Sequence, residues 1–421
     1  ENTMIAPLTI NARSDGYPIA SILKAVHRAP FWKGKFSGEV TVTNTLRDPD
    51  IVLKGIVQSR TGTTNNYRLP DVEADLSYRS GVLQIESISA DDGKIQVDAQ
   101  GQLPVNFGLR SGFKFNPEAP AGVKATIKAN DLSVVSGYVD AIAASAGQLE
   151  GVLEISGAAN DPRFNGWFDL RGAGFRVAQS DEVYKEIKAR IDLEDTSLKL
   201  TSIAGRKGEG KFEGSGWVKL DGFGVDDYEF VLDIDNVPFS MITGFESVQD
   251  GRLTVKSQPN AEGRKVPALG GKVQVRQGVI TRSLDTQEGP PQPLTMPVES
   301  PRWLCHLQME APKNVWVRNT DLQMELGGDL ILKRDQKGLY LRGDLDVLRG
   351  SYSLYNNKFR ITDGRFDFAT ATTLRPGIYL DAYTPHGRAG EVERRIFLTF
   401  SWPADEKGPE LTLSYSEPGY S

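Results

Sequence analysis

Between Gly343 and Phe368 the chain alternates apolar and polar residues almost without interruption. Leu345 and Val347, Tyr352 and Leu354, Phe359 and Ile361, and Phe366 and Phe368 each stand two positions apart. Residues two apart in a β-strand share a face, so each run collects its apolar side chains on one side and Asp344, Asp346, Arg360 and Asp367 on the other. The parity changes at Leu348 and Arg349, beside Gly350. A turn or bulge there would let the following strand keep its apolar residues on the same side.

The same period runs through most of the chain: Val40 and Val42; Leu153 and Ile155; Ile187, Ala189, Ile191 and Leu193; Tyr228, Phe230, Leu232 and Ile234; Ile396, Leu398, Phe400 and Trp402. Short runs of this kind, bounded by Gly, Asn, Asp and Pro, predict antiparallel strands with one apolar and one polar face, and hence an all-β fold. The 43 glycines supply turns and bulges and speak against large helices.

Self-comparison gives the organisation. GEVTVTNTLRDPDI from Gly38 resembles GVLEISGAANDPRF from Gly151, and LQIESISADDGKIQVDAQG from Leu83 resembles LKLTSIAGRKGEGKFEGSG from Leu198. PALGGKVQVRQGVI from Pro267 resembles PRFNGWFDLRGAGF from Pro162, and the glycine-framed stretch from Gly271 to Gly278 is echoed from Gly343 to Gly350. These matches predict one continuous repetitive body with units at about 16–121, 122–233 and 234–326 and a closing segment at 327–421. Ile19, Ile22, Leu23 and Val26, and again Val135, Tyr138, Val139 and Ile142, stand at helical spacing and predict short helices packed on the sheet rim. The prolines at 290, 291, 293, 297 and 301 mark 288–301 as a loop or inserted arm.

Net charge is −6 with a pI near 5.4, so the chain carries no electrostatic footprint for nucleic acid or for an anionic membrane surface. Cys305 is the only cysteine, which excludes an internal disulfide and a cysteine-based zinc cluster. His27, His306 and His386 stand far apart and match no metal-binding spacing. The stretch GRKGEG from Gly205 lacks the P-loop pattern and reads as a hairpin turn. The carboxylate pairs Asp91 and Asp92, Asp226 and Asp227, and Asp344 and Asp346 fall in turns or on a polar strand face. Paired carboxylates are what a β-helix polysaccharide hydrolase would use, and that enzyme reading stays open as a remote alternative. With no run of about 18 apolar residues, no signal-peptide pattern and no initial methionine, the chain is read as a piece of a longer protein.

The pattern proline, hydrophobic, glycine and alternating hydrophobics at Pro162–Gly172 and Pro267–Gly278 resembles the repeat of the TamB proteins of Gram-negative envelopes. GDLDVLRGSYSLYNNKFRITDGRFDF, RPGIYLDAY from Arg375 and PELTLSYSEP from Pro409 are similar to that family's C-terminal part. The resemblance implies an AsmA-like, bridge-like lipid carrier: a long sheet curled into an open half-pipe, or β-taco, with an apolar concave face. It implies a periplasmic location in a protein anchored to the inner membrane by a segment absent from this chain. It also implies TamA, an outer-membrane barrel assembly protein, as partner. The chain departs from the pattern in lacking the anchor, in carrying the arm at 288–301 and in stopping at Ser421, a little short of where the family's last segment usually ends.

On this reading the groove is lined by Leu153, Ile155, Phe168, Leu170, Ile191, Leu193, Phe230, Leu232, Val273, Val275, Leu345, Val347, Phe366 and Phe368, which share parity within their strands. Phospholipid is the cargo, and neither a catalytic residue nor a cofactor is needed, since each buried methylene gains about 0.8 kcal/mol. Two alternatives stay open: a closed dry core formed by the same residues, and a scaffold or chaperone for outer-membrane proteins that uses its strand edges.

Overall fold

In the computed structural model the alternating runs form strands that pair in sequence order. It describes residues 6–18, 21, 34–59, 71–108, 112–116, 118–137, 142–158, 160–178, 182–242, 245–281, 301–336, 338–354, 357–368, 376–386, 394–404 and 408–416. The chain divides into two compact units, Glu1–Lys207 with Gly214–Tyr228, and Gly208–Glu213 with Glu229–Ser421.

The first unit holds β1 (Ile10–Pro18), β2 (Gly34–Asn44), β3 (Pro49–Ser59), β4 (Val72–Arg79), β5 (Val82–Asp91), β6 (Ile95–Gly108), β7 (Gly112–Phe115), β8 (Pro120–Ala129), β9 (Ile142–Ala158), β10 (Asp161–Val177), β11 (Val183–Asp195) and β12 (Ser197–Lys207). Each pairs antiparallel with the next, except that β6 takes both the short β7 and β8 as partners. Strands β13 (Gly210–Asp221) and β14 (Gly224–Ile242) contribute residues to both units. The second unit continues with β15 (Phe245–Pro259), β16 (Lys265–Ile280), β17 (Leu304–Arg318), β18 (Leu322–Asp335), β19 (Gly338–Leu354), β20 (Asn357–Asp367), β21 (Gly377–His386), β22 (Arg394–Trp402) and β23 (Glu410–Ser416). No pairing among the described strands closes the sheet into a barrel.

Turn chemistry explains where strands end. Ser80 and Gly81, both at positive φ, make the two-residue loop between β4 and β5, the geometry that matches the twist of a hairpin. After β5, Asp91 accepts the Gly93 N–H at 2.7 Å and Asp92 accepts those of Lys94 and Ile95 at 2.9 Å, which turns the chain into β6. Gly208 and Glu209 form the turn after β12, within the glycine-rich stretch.

The parity change beside Gly350 is a bulge. Arg349 pairs with Glu325 and Val347 with Leu326, so Leu348 is the extra residue of β19. Earlier in the same strand, Gly343 adopts φ +118, and a β-carbon there would lie 2.2 Å from the Asp329 carbonyl oxygen. Only glycine allows β18 and β19 to approach this closely.

One pairing departs from the antiparallel expectation: β16 and β17 run parallel, with Val273 beside Met309. The connection between them is no hairpin, and a parallel pair requires the chain to return along the strand before the second strand begins. The proline-rich arm expected at 288–301 falls in that interval and, apart from Pro301, lies outside the described residues. Of the two expected helices, the one at 19–26 lies outside the described residues apart from Ser21. The other is represented by a 3-10 helix at Leu132–Gly137 that ends before β9.

A one-sided apolar face as the candidate functional site

Direct cross-strand partners lie on the same face of a sheet, so the register traces which side chains line each side. In the first unit Phe168 on β10 stands opposite Gly151 on β9 and Ile191 on β11. Leu153 and Leu193 both face Gly166, Ile155 faces Phe164, and Leu170 lies between Leu149 and Ala189. The six expected groove residues of this unit therefore share one face. The strip extends in one direction through Val123 and Ala125 on β8 towards Leu53 and Val40, and in the other to Leu198 and Leu200 on β12.

Their neighbours in sequence line the opposite, charged face. Lys54 pairs with Asp75 at 2.7 Å, Lys124 with Glu154 at 2.6 Å and Arg190 with Asp192 at 2.9 Å. Such exposed pairs add little stability, but a one-residue slip would turn all of these charges onto the apolar side. The Thr201 hydroxyl and then Arg190 hold the Asp192 carboxyl below the usual carboxylate range, and Asp75 holds the Lys54 ammonium above its ordinary value. Trp167, one position from Phe168, lies on this charged face under the Arg190 guanidinium, 4.5 Å from its ring centroid. A shallow depression of about 460 Å³ also opens on this side, around Gly122, with Gln100, Lys124, Glu154 and Ser156 in its lining.

In the second unit the register again collects the expected residues on one face. Phe230 and Leu232 stand opposite Val255 and Leu253; Val273 lies between Gly251 and Met309; Val275 faces Gln249. Leu345 lies between Gly328 and Phe366, Val347 faces Leu326, and the Phe368 N–H donates to the Gly343 carbonyl at 2.9 Å. Asp344 points to the other face, where it pairs with Arg365 at 3.2 Å.

What differs along these faces is how much covers them. Met324 and Leu326 are 0% exposed and Leu345 5%, and they share a continuous core with Val275, Val317, Phe366, Phe368 and Leu398. Full burial on a single-layered sheet requires side chains from distant strands to fold over the residue, so the sheet of the second unit curls around its apolar side. Phe230 and Leu232 stand outside that core and are half-buried. In the first unit Leu153, Ile155, Phe168, Leu170 and Ile191 are also half-buried, and Leu193 alone of the six is buried.

Two features of these faces were not singled out from the sequence. Glycines such as Gly151 and Gly166 sit within the apolar strip, beneath or beside Phe168. Arg334 also shares the parity of Leu330 and Leu332, a signal present in LILKRD. Among the described residues no group of His, Cys, Asp and Glu is placed to hold a metal, and no helix is long and apolar enough to cross a membrane.

These features define an all-β protein built on an amphipathic sheet, one side charged and wet, the other apolar and unequally covered. The family model described as TamB C-terminal domain matches residues 201–420, more than half of the chain, and the chain belongs to the TamB family. TamB proteins form a module of outer-membrane assembly and transport rather than an enzyme family, and this domain is a periplasmic part of an envelope protein. The family works with TamA-type partners in general. A search of curated proteins found no match.

Proposed function

We propose that this chain carries phospholipid between the inner and outer membranes of a Gram-negative envelope, holding acyl chains on the half-covered apolar strip. The supporting observation is the contrast in cover: a dry core around Met324 and Leu326, against half-buried Leu153, Ile155, Phe168, Leu170 and Ile191. A partly exposed apolar strip running through many strands is costly to leave in water, and acyl chains would cover it at about 0.8 kcal/mol per methylene. Such binding needs no cofactor and no specific headgroup contact along the strip, so a chain can slide from strand to strand. Within the second unit the half-buried Phe230 and Leu232 offer the same kind of surface, whereas Val273, Val275, Leu345, Phe366 and Phe368 give the wall its rigidity. The whole protein, anchored in the inner membrane, would span the periplasm.

A photo-crosslinking side chain placed at Ile155 or Phe168, followed by mass spectrometry of the purified protein, tests this. Capture of phospholipid there but not at Leu345 is the expected result. Absence of lipid from every half-buried position, together with no copurifying phospholipid, would remove the proposal.

A second reading rests on β23. Leu411, Leu413 and Tyr415 are 41%, 49% and 46% exposed, and β22 is the one partner of this strand among the described residues. An apolar strand with one edge unpaired among the described residues suits strand addition by another chain. In this role the protein would be a scaffold for outer-membrane protein assembly with a TamA-type barrel.

A further inference from the structure

Among the described residues, one buried side-chain nitrogen or oxygen atom has no hydrogen-bond partner: Nε of Arg334. Its setting is unusual for this protein. The register places Arg334 between Cys305 on β17 and Leu339 on β19, on the apolar face and in line with Leu326, Leu330 and Leu332. It is the next-to-last residue of β18, so the cation sits where that face meets the strand ends.

Most arginines of the charged face have a carboxylate: Arg190 has Asp192, Arg252 has Asp233, Arg349 has Glu325 and Arg365 has Asp344. Arg334 has none among the described residues. Asp335, its neighbour in sequence, points to the other face and accepts the Tyr340 hydroxyl at 2.6 Å. The Cys305 thiol offers no negative charge either, because burial pushes it up to about 11. The guanidinium instead lies over the ring of Trp303, 4.4 Å from its centroid. A buried donor of a permanently charged group is expensive to leave unanswered, and the planar guanidinium fork matches phosphate.

We propose that Arg334, beside Trp303, is an anion-recognition point at the rim of the apolar face of the second unit, taking the phosphate of an amphiphile whose chains lie on the half-buried Leu332 and Leu339. In its lipid part this rests on the transport reading; the anion site itself does not. The rim would then select by charge among the amphiphiles held at this face of the second unit.

The test titrates the full chain with dihexanoylphosphatidylglycerol below its micelle concentration, with uncharged dihexanoylglycerol and with inorganic phosphate. The readouts are calorimetry and the Arg334 Nε–H resonance. The expected result is roughly tenfold tighter binding of the charged lipid than of the uncharged one, a preference lost in Arg334→Gln with binding of dihexanoylglycerol unchanged. Arg334→Lys, which keeps the charge but not the fork, should retain part of it. Equal binding of both lipids by the wild type, or a preference that survives in Arg334→Gln, would overturn the proposal. If neither lipid binds but inorganic phosphate shifts the resonance, the anion site stands and the lipid reading falls. If Arg334→Gln does not fold, an unshifted wild-type resonance with both charged probes refutes the site.

Discussion

The ring of Phe168 lies across Gly151 on the neighbouring strand, so closely that a β-carbon on the glycine would sit 2.3 Å from Cδ1. The glycine is what lets the aromatic ring lie flat along the strip rather than stand up from it. Gly151→Ala should therefore destabilise the first unit by about 1–3 kcal/mol through overpacking. The same change in a Phe168→Ala background should cost less, although the Trp167 carbonyl, 2.6 Å from the same β-carbon, leaves part of the strain. Urea melts of the single and double variants measure this coupling; additive effects would show that the ring is not what the glycine accommodates.

Leu232 and Val275 separate the covered face from the half-covered one. Val275 belongs to the continuous core, whereas Leu232 stands outside it and is half-buried. Val275→Asp should cost several kcal/mol, because a carboxylate there is neither hydrated nor paired. Leu232→Asp should keep a melting temperature near the wild type while reducing lipid crosslinking beside it. Equal losses of stability in the two variants would mean that both positions are closed core.

Glu325 braces the bulge of β17. Its carboxylate accepts the Asn314 N–H at 2.8 Å, where the backbone has turned to φ +67, and the Arg349 Nε–H at 2.6 Å. Glu325→Ala should cost about 1–3 kcal/mol, mainly by leaving the Asn314 N–H unanswered, because the Arg349 side chain is exposed to water. The Asn314 N–H, and after it Arg349, hold the Glu325 carboxyl below its ordinary value of 4.5. A depressed carboxyl pKa contributes stability that is fully present above the unfolded-state value and is lost as pH falls through the folded-state value. Thermal melts from pH 6 down to pH 3 should therefore fall more steeply for the wild type than for Glu325→Gln; parallel curves would show that Glu325 contributes nothing to acid sensitivity.

Leu411 and Leu413 project from β23 into solvent. Replacing both with serine should change stability by little, within roughly 1 kcal/mol for two exposed positions, yet should abolish capture of a TamA-type barrel if β23 is the docking strand. Retained capture at unchanged stability would assign the contact elsewhere.

Period-two alternation was enough to read the strands and the face each side chain takes, because a strand has no other periodicity. It even located the bulge at Leu348, through a parity change beside Gly350. Cover was not legible: Leu153 and Leu345 occupy equivalent places in equivalent patterns, yet one is half-buried and the other buried. Alternation states which side a residue faces and carries nothing about what lies over it. The helical spacing of Val135, Tyr138, Val139 and Ile142 misled in part, because Ile142 already belongs to β9 and the described turn before it is 3-10. Strand direction was equally hidden, since a one-sided strand shows the same pattern beside a parallel or an antiparallel neighbour.

That hidden direction matters at the single parallel step. In an unbroken meander each strand reverses the one before, so counting strands tells at which end any of them finishes. The pairing of β16 with β17 skips one reversal. From there to β23 every strand travels in the sense opposite to the one the count would give, and β23 finishes at the same end as β16. That one pairing thus sets the polarity of the β23 edge left unpaired among the described residues, and any chain joining β23 there must match the donor and acceptor order of that orientation.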